Sequence, residues 1–209
     1  MTKASSNTTN SKHTDTKKKS TSDSKAGGCP FHHQASDNAR PLEDGIHQGL
    51  DNEMSYGDYL QLESVLSAQK PLSGEHDEML FIIIHQTSEL WLKLAGHELQ
   101  SAIDYIKAEN FGPAFKVIAR VKQIFMQLTQ SWNILSTLTP SDYLKFRDDL
   151  GRSSGIQSCG YRKLEFLLGN KSVDMLKIHQ TGSTAYQELE KLLNQNSLYD
   201  EVIIALAKA

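Results

Sequence analysis

From about Ser55 onward apolar residues recur at three- and four-residue spacing, with almost no β-branched alternation, and this pattern predicts helices throughout. A first short helix takes in Tyr59 and Leu66 and ends before Pro71, whose ring restricts the residue ahead of it. Ser73-Gly74-Glu75 opens the next, from about His76 to Glu109. It is apolar on nearly all sides between Met79 and Ile84, so its first half is expected to be buried. Beyond that it turns amphipathic through Leu90, Leu94, Leu99 and Ile103, and an exposed later half is expected to carry a Glu89–Lys93 pair at i,i+4. Pro113 suits a helix first turn. From there Ile118, Val121, Phe125, Leu128, Trp132 and Leu135 form one stripe, which places Trp132 in the core.

Thr139-Pro140-Ser141-Asp142 combines an N-cap hydroxyl, a proline at the first helical position and an acid in the first turn, so another helix starts there. It should stop near Gly151, a residue suited to a left-handed cap. After a loop from Arg152 to Ser158, three or four shorter helices follow, broken at Gly169-Asn170, near Thr181-Gly182 and from Asn194 to Ser197. The last ends in Ala205-Leu206-Ala207-Lys208-Ala209 without a cap. Its Ile203, Ile204 and Leu206 want a partner surface, and the chain is expected to stop in mid-structure. The fold class is all-α.

The first forty-odd residues differ. They are rich in Ser, Thr, Lys and Asn, with no aromatic before Phe31, and cannot bury enough apolar surface to offset the entropy of ordering. We expect residues 1–45 to be a disordered tail and 46–209 to form one helical domain. Lys17-Lys18-Lys19 reads as solvated charge. Cys29-Pro30-Phe31-His32-His33 offers thiolate and imidazole to heme or another soft metal, yet no second ligand cluster lies nearby, and the plainer reading is no role.

A net charge of −3 over 209 residues leaves no electrostatic footprint for nucleic acid or an anionic membrane. No stretch approaches the roughly 20 apolar residues that span a bilayer, and the N-terminus lacks the apolar core of a secretory signal. Two cysteines, Cys29 and Cys159, make no disulfide framework, so the expected compartment is the cytoplasm.

The candidate chemistry gathers in two segments. His85 lies one turn beyond Phe81 inside Phe81-Ile82-Ile83-Ile84-His85, which puts an imidazole and an aromatic ring on one helix face. Spacing alone favours a satisfied core histidine. Arg147, in Phe146-Arg147-Asp148-Asp149-Leu150-Gly151-Arg152-Ser153-Ser154-Gly155, carries a fork of donors suited to a carboxylate. Its plainer reading is an ion pair with Asp148 or Asp149. Tyr56, Tyr59 and Leu60 read as an aromatic face packing into a core. Other chemistries are set aside: the residues three before His76, His85, His97 and His179 are Ser73, Ile82, Leu94 and Leu176, none of them the acid a di-iron bundle requires, and His97-Glu98 is followed at 101 by Ser101 where a zincin needs histidine. There is no P-loop, no GxGxxG and no GxSxG.

These two segments, with Tyr56-Gly57-Asp58-Tyr59-Leu60, Leu138-Thr139-Pro140-Ser141 and Tyr161 through Asn170, resemble the tryptophan 2,3-dioxygenase family from about Tyr56 to the last residue. The resemblance implies an all-helical bundle of the tryptophan/indoleamine dioxygenase type and a homotetramer. It also implies heme-dependent insertion of both atoms of O₂ into the indole C2–C3 bond of L-tryptophan, giving N-formylkynurenine, the first step of the kynurenine pathway. By the same resemblance His85 accepts a hydrogen bond from the indole N–H, while Phe81, Ile82, Ile83, Ile84 and Tyr143 line the substrate pocket. Arg147 binds the substrate carboxylate, Ser154 and Gly155 match the loop over the heme edge, and Tyr56, Tyr59 and Leu60 reach a neighbouring subunit's site. The family's iron-ligating histidine belongs to a C-terminal part that the sequence does not reach, so no metal ligand is assigned. The rival expectation is a non-catalytic helical subunit that binds tryptophan or serves assembly only.

Overall fold

The computed structural model describes residues 45–46 and 53–208. The chain divides between Glu53 and Met54, and the fold set out below is that of the second unit. Apart from Gly45, the expected tail lies outside the described residues, as do Lys17-Lys18-Lys19 and Cys29 through His33.

All regular structure among the described residues is helical. Two five-residue helices come first, α1 (Tyr56–Leu60) and α2 (Leu62–Leu66). Ser55 caps α1 by accepting from the Asp58 amide at 3.1 Å, and the Asp58 carboxylate accepts in return from the Ser55 amide at 3.2 Å. The single helix expected to span Tyr59 and Leu66 is broken at Gln61, which adopts φ +52°. Nothing in its residue type announces a left-handed position, since glycine or asparagine is the usual occupant. Its side-chain amide donates to the Asp58 carbonyl at 2.6 Å and supports the break.

The long helix α3 (His76–Lys107) is held at its start by Glu78. This buried carboxylate accepts from the amides of Leu72 and Ser73, each at 2.7 Å, and from the Ser73 hydroxyl at 2.5 Å. Those bonds hold its pKa below the ordinary carboxylate value, the Leu72 amide contributing most. Burial along α3 reverses the expectation. Leu92, Ala95, Leu99, Ile103 and Ile106 in the second half form the core, whereas in the first half Ile84 alone of the apolar run is buried and Met79 and Ile83 are exposed. A helix apolar all round needs partners on every side, and the first half is covered on part of its circumference, by α5 (Pro140–Phe146) among others. Glu89 and Lys93 form no ion pair; Lys93 is exposed, and the Glu89 carboxylate lies against Gly160.

The short turn Ala108–Asn110, with Glu109 at φ +58°, leads into α4 (Phe111–Leu135), whose packing on α3 is the most extensive in the fold. Pro113 falls in the first turn, where its missing N–H costs no helical bond. The buried stripe is Ala114, Val117, Val121 and Ile124, rotated from the expected one, and Trp132 lies on the surface with 64% of its area exposed. Arg120 of α4 reaches buried Glu98 of α3 at 2.6 Å.

Thr139 caps α5 through the Asp142 amide at 3.2 Å, with Pro140 at the first helical position. The helix ends at Phe146, earlier than expected; hydrogen-bonded turns carry the chain to Gly151, which does adopt a left-handed φ of +56°. Three further helices, α6 (Cys159–Leu168), α7 (Thr184–Leu193) and α8 (Leu198–Lys208), complete the fold, with 3₁₀ turns at Gly155–Gln157 and Val173–Ile178. The breaks between them fall where Gly169, Gly182 and Asn194 predict. Leu164, Phe166 and Leu167 of α6 and Leu189 and Leu192 of α7 close the core over the second half of α3.

Candidate functional site

The first half of α3 and the end of α5 bring three of the singled-out side chains, Phe81, His85 and Tyr143, to one place around Phe146. Phe146, with no exposed area, is the anchor. Its ring meets Phe81 edge-on at 5.7 Å and Tyr143 edge-on at 5.5 Å, and Phe81 and Tyr143 lie 5.7 Å apart. Such tilted aromatic contacts are favourable beyond their area. His85 completes the cluster, its ring 4.1 Å from that of Phe81. Its Nδ1 lies 2.7 Å from the Phe81 carbonyl oxygen one turn earlier. A carbonyl can only accept, so Nδ1 carries the proton and, in the neutral ring, Nε2 is an acceptor. His85 is exposed, and the core-histidine reading fails on that point.

Arg147 follows α5 directly. Its Nη1 donates to the Gly151 carbonyl at 2.8 Å, and it makes no ion pair with Asp148 or Asp149 among the described contacts. One donor of the guanidinium therefore fixes the side chain across its own turn, and four N–H groups remain for another acceptor.

On the other side of His85 runs a cleft of about 410 Å³ between α3, α4 and the start of α6. Its walls include Ile84, Leu92, Trp132, Leu135, Ile156 and Tyr161, with Gly155 and Ser158 at the loop edge. Ser154 caps the 3₁₀ turn that presents Gly155, its hydroxyl accepting from the Ile156 amide. Arg162 adds a cation. It pairs with Glu165 at 2.7 Å and stacks over the Tyr161 ring at 4.7 Å, and its side chain keeps only 11% of its area exposed. Its buried Nε has no hydrogen-bond partner. A buried N–H left unpaired is costly, and this one lies in a wall of aromatic and aliphatic surface. The lining suits a flat apolar ligand with an anionic edge.

His85 thus stands between two regions: Phe81 and Tyr143 on one side, the cleft of Trp132, Tyr161 and Arg162 on the other. Ile82 is half-buried and Ile83 is 42% exposed. Tyr56 and Tyr59 on α1 are 75% and 74% exposed and Leu60 39%, so the expected core packing of that face does not occur within the unit. Sequence reasoning missed the cleft role of Trp132, which its position on an apolar stripe assigned to the core, and of Arg162. No spacing rule marks an arginine whose acceptors are Glu165, three residues along α6, and the Met175 sulfur in the following 3₁₀ turn. Among the described residues no group of three or more His, Cys, Asp or Glu side chains is placed to hold a metal ion.

Comparison with known proteins identifies the family. A family model described as tryptophan 2,3-dioxygenase matches residues 41–206. A tryptophan 2,3-dioxygenase from Shewanella woodyi is 63% identical over 180 residues, covering 86% of this chain and 63% of that relative. Relatives of the same name from Bacillus thuringiensis subsp. konkukian and a Bradyrhizobium species are 53% and 52% identical, each match covering 80% of this chain and 60% of the relative. The chain spans a little over three-fifths of the length of these curated relatives at most.

Proposed function

Because this chain belongs to the tryptophan 2,3-dioxygenase family, we propose that the His85 region is the substrate and distal-side wall of a heme-dependent L-tryptophan 2,3-dioxygenase site. The observation that carries the reading is the state of His85. With Nδ1 committed to the Phe81 carbonyl, Nε2 is an acceptor, as recognition of an indole N–H requires. The Phe81 ring lies against it and the Tyr143 ring against Phe81, an aromatic wall suited to a flat indole. Arg147 supplies the fork for the substrate carboxylate, held at a fixed angle by its bond to Gly151. His85 and Arg147 grip opposite ends of the substrate and so fix the indole C2–C3 edge, which is where orientation lowers the barrier.

In this reading heme takes the neighbouring cleft: Trp132, Leu135, Ile156 and Tyr161 would offer apolar and aromatic faces to the macrocycle and the Arg162 guanidinium in the same lining would face a propionate, while among the described residues no cluster of side chains is placed to hold the iron. When bound, heme supplies the activation of O₂; the chain's own groups bind, orient and exclude water. His85 acts here as a positioner of the indole N–H rather than as an obligatory base. Exposed Tyr56, Tyr59 and Leu60 match residues that work against another subunit, consistent with a homotetramer. No described helix is long and apolar enough to cross a membrane, which is compatible with a cytoplasmic enzyme.

The test is reconstitution. The chain is loaded with heme under reducing, aerobic conditions, L-tryptophan is added, and N-formylkynurenine is followed together with the heme spectrum. A perturbed heme spectrum with product supports the reading. Absence of any heme uptake rejects it.

A further inference from the structure

A second cleft, of about 500 Å³, opens further along α3, between it, α6 and α7, and shares no lining residue with the one at His85. Its lining is basic: Lys93 and His97 of α3, Lys163 of α6 and Lys191 of α7, against the single carboxylate of Glu188. Lys163 is held in place. Its stem lies along α3 at Gly96, with Cε 3.5 Å from the point a methyl group would occupy there, and its ammonium pairs with Glu188 on α7. That pair engages the one acid of the lining. Lys93 and Lys191 are exposed and make no ion pair or side-chain hydrogen bond among the described contacts. Beyond α7 the Lys171 ammonium donates to the Leu193 carbonyl at 3.2 Å and to the Gln195 carbonyl, which fixes the backbone at the edge of the cleft.

The whole chain carries a net charge of −3, so the excess of cations here is local and not a general bias of the surface. Ammonium groups gathered around one cleft repel one another, and an anion between them turns that repulsion into attraction. We infer that this α3–α6–α7 cleft binds a small phosphate-bearing anion. The lysine ammonium is a compact point charge that suits a tetrahedral phosphoryl group, whereas the planar fork that grips a carboxylate belongs to arginine, and the lining holds none. His97 and Gln195 place an imidazole and a carboxamide in the same wall, both able to donate to phosphoryl oxygens. The volume falls within the range of small-molecule sites, about 300–1,000 Å³, and leaves room for a diphosphate or a phosphate ester. Lys93 and Lys191 come from different helices, so the site exists only in the folded chain. The inference is independent of the tryptophan and heme reading.

Inorganic pyrophosphate is titrated calorimetrically into the chain at fixed ionic strength, for the parent and for Lys93→Gln, Lys191→Gln and Lys116→Gln. Lys116 is an exposed lysine of α4 outside the cleft and serves as the control for unspecific charge. The expected result is saturable binding of one pyrophosphate per chain, weakened about fivefold or more by each cleft substitution and within about twofold of the parent in the control. Citrate, a carboxylate anion of similar charge, should bind about tenfold more weakly than pyrophosphate. All three substitutions are at exposed helical positions, and circular dichroism melts without ligand should coincide with the parent's, so that lost binding is not lost fold. The inference is overturned if the parent takes up no pyrophosphate at millimolar concentration or if both cleft variants bind as the parent does. It is equally overturned if the Lys116 variant loses as much, or if citrate binds as well as pyrophosphate.

Discussion

Replacing Arg147 by Ala separates recognition from folding. In the structure the guanidinium makes one bond, Nη1 to the Gly151 carbonyl at 2.8 Å. A neutral acceptor on a partly solvated turn contributes about 0.5–1.5 kcal/mol, so the stability loss should be small. A carboxylate gripped by the remaining fork is worth about 1.5–3 kcal/mol, because the bonds are charge-assisted and paired. That converts to a loss of L-tryptophan affinity of about 10- to 150-fold. Tryptamine, which keeps the indole and lacks the carboxylate, should bind both proteins within about twofold to threefold. Calorimetric titration of each ligand into heme-loaded parent and variant gives the four affinities, and circular dichroism melts confirm that the fold survives. Equal losses for both ligands, or an unchanged L-tryptophan affinity, would refute the assignment of Arg147 to the carboxylate.

Three further outcomes follow from the packing. Phe146→Ala empties a position with no exposed area between Phe81 and Tyr143, and should cost about 3–5 kcal/mol in denaturant unfolding while splaying the aromatic cluster. Gly169→Ala should destabilise by more than about 1 kcal/mol in the same assay, since φ is +112° and the new methyl would lie 3.2 Å from both Ser197 Oγ and Tyr199 Cβ. The Glu78 carboxylate has its folded pKa below the ordinary 4.5. Its contribution is therefore present above that value and lost as pH falls through the lower, folded one. The melting-temperature gap between parent and Glu78→Gln should be full at neutral pH and shrink on acidification below about pH 4; a gap independent of pH would contradict this role.

Much of the backbone was legible because it is written in local chemistry. Thr139-Pro140 announced α5, and Gly169, Gly182 and the Asn194 region marked the breaks among the last helices. The misreadings share a different origin. Periodicity says which residues are apolar, not which apolar faces the fold supplies with partners. The first half of α3 and Trp132 were both assigned to the core on that ground, and both remain largely at the surface within this unit. Gln61 bends the chain without a residue type that signals it. The site itself was half legible: Phe81, His85 and Tyr143 do meet. The cleft beside them, with Trp132 and the unpartnered Arg162 Nε, depends on how α4 and α6 approach α3, which no single segment encodes.

The most direct test of the His85 assignment is a titration of L-tryptophan into the heme-loaded chain, read as the change in the heme absorption spectrum, for the parent and for Phe81→Ala and Arg147→Ala. The expected result is a saturable spectral change in the parent that needs at least tenfold more L-tryptophan in each variant. A heme spectrum indifferent to L-tryptophan in the parent, or shifted equally in all three proteins, would contradict a shared substrate and heme site at His85.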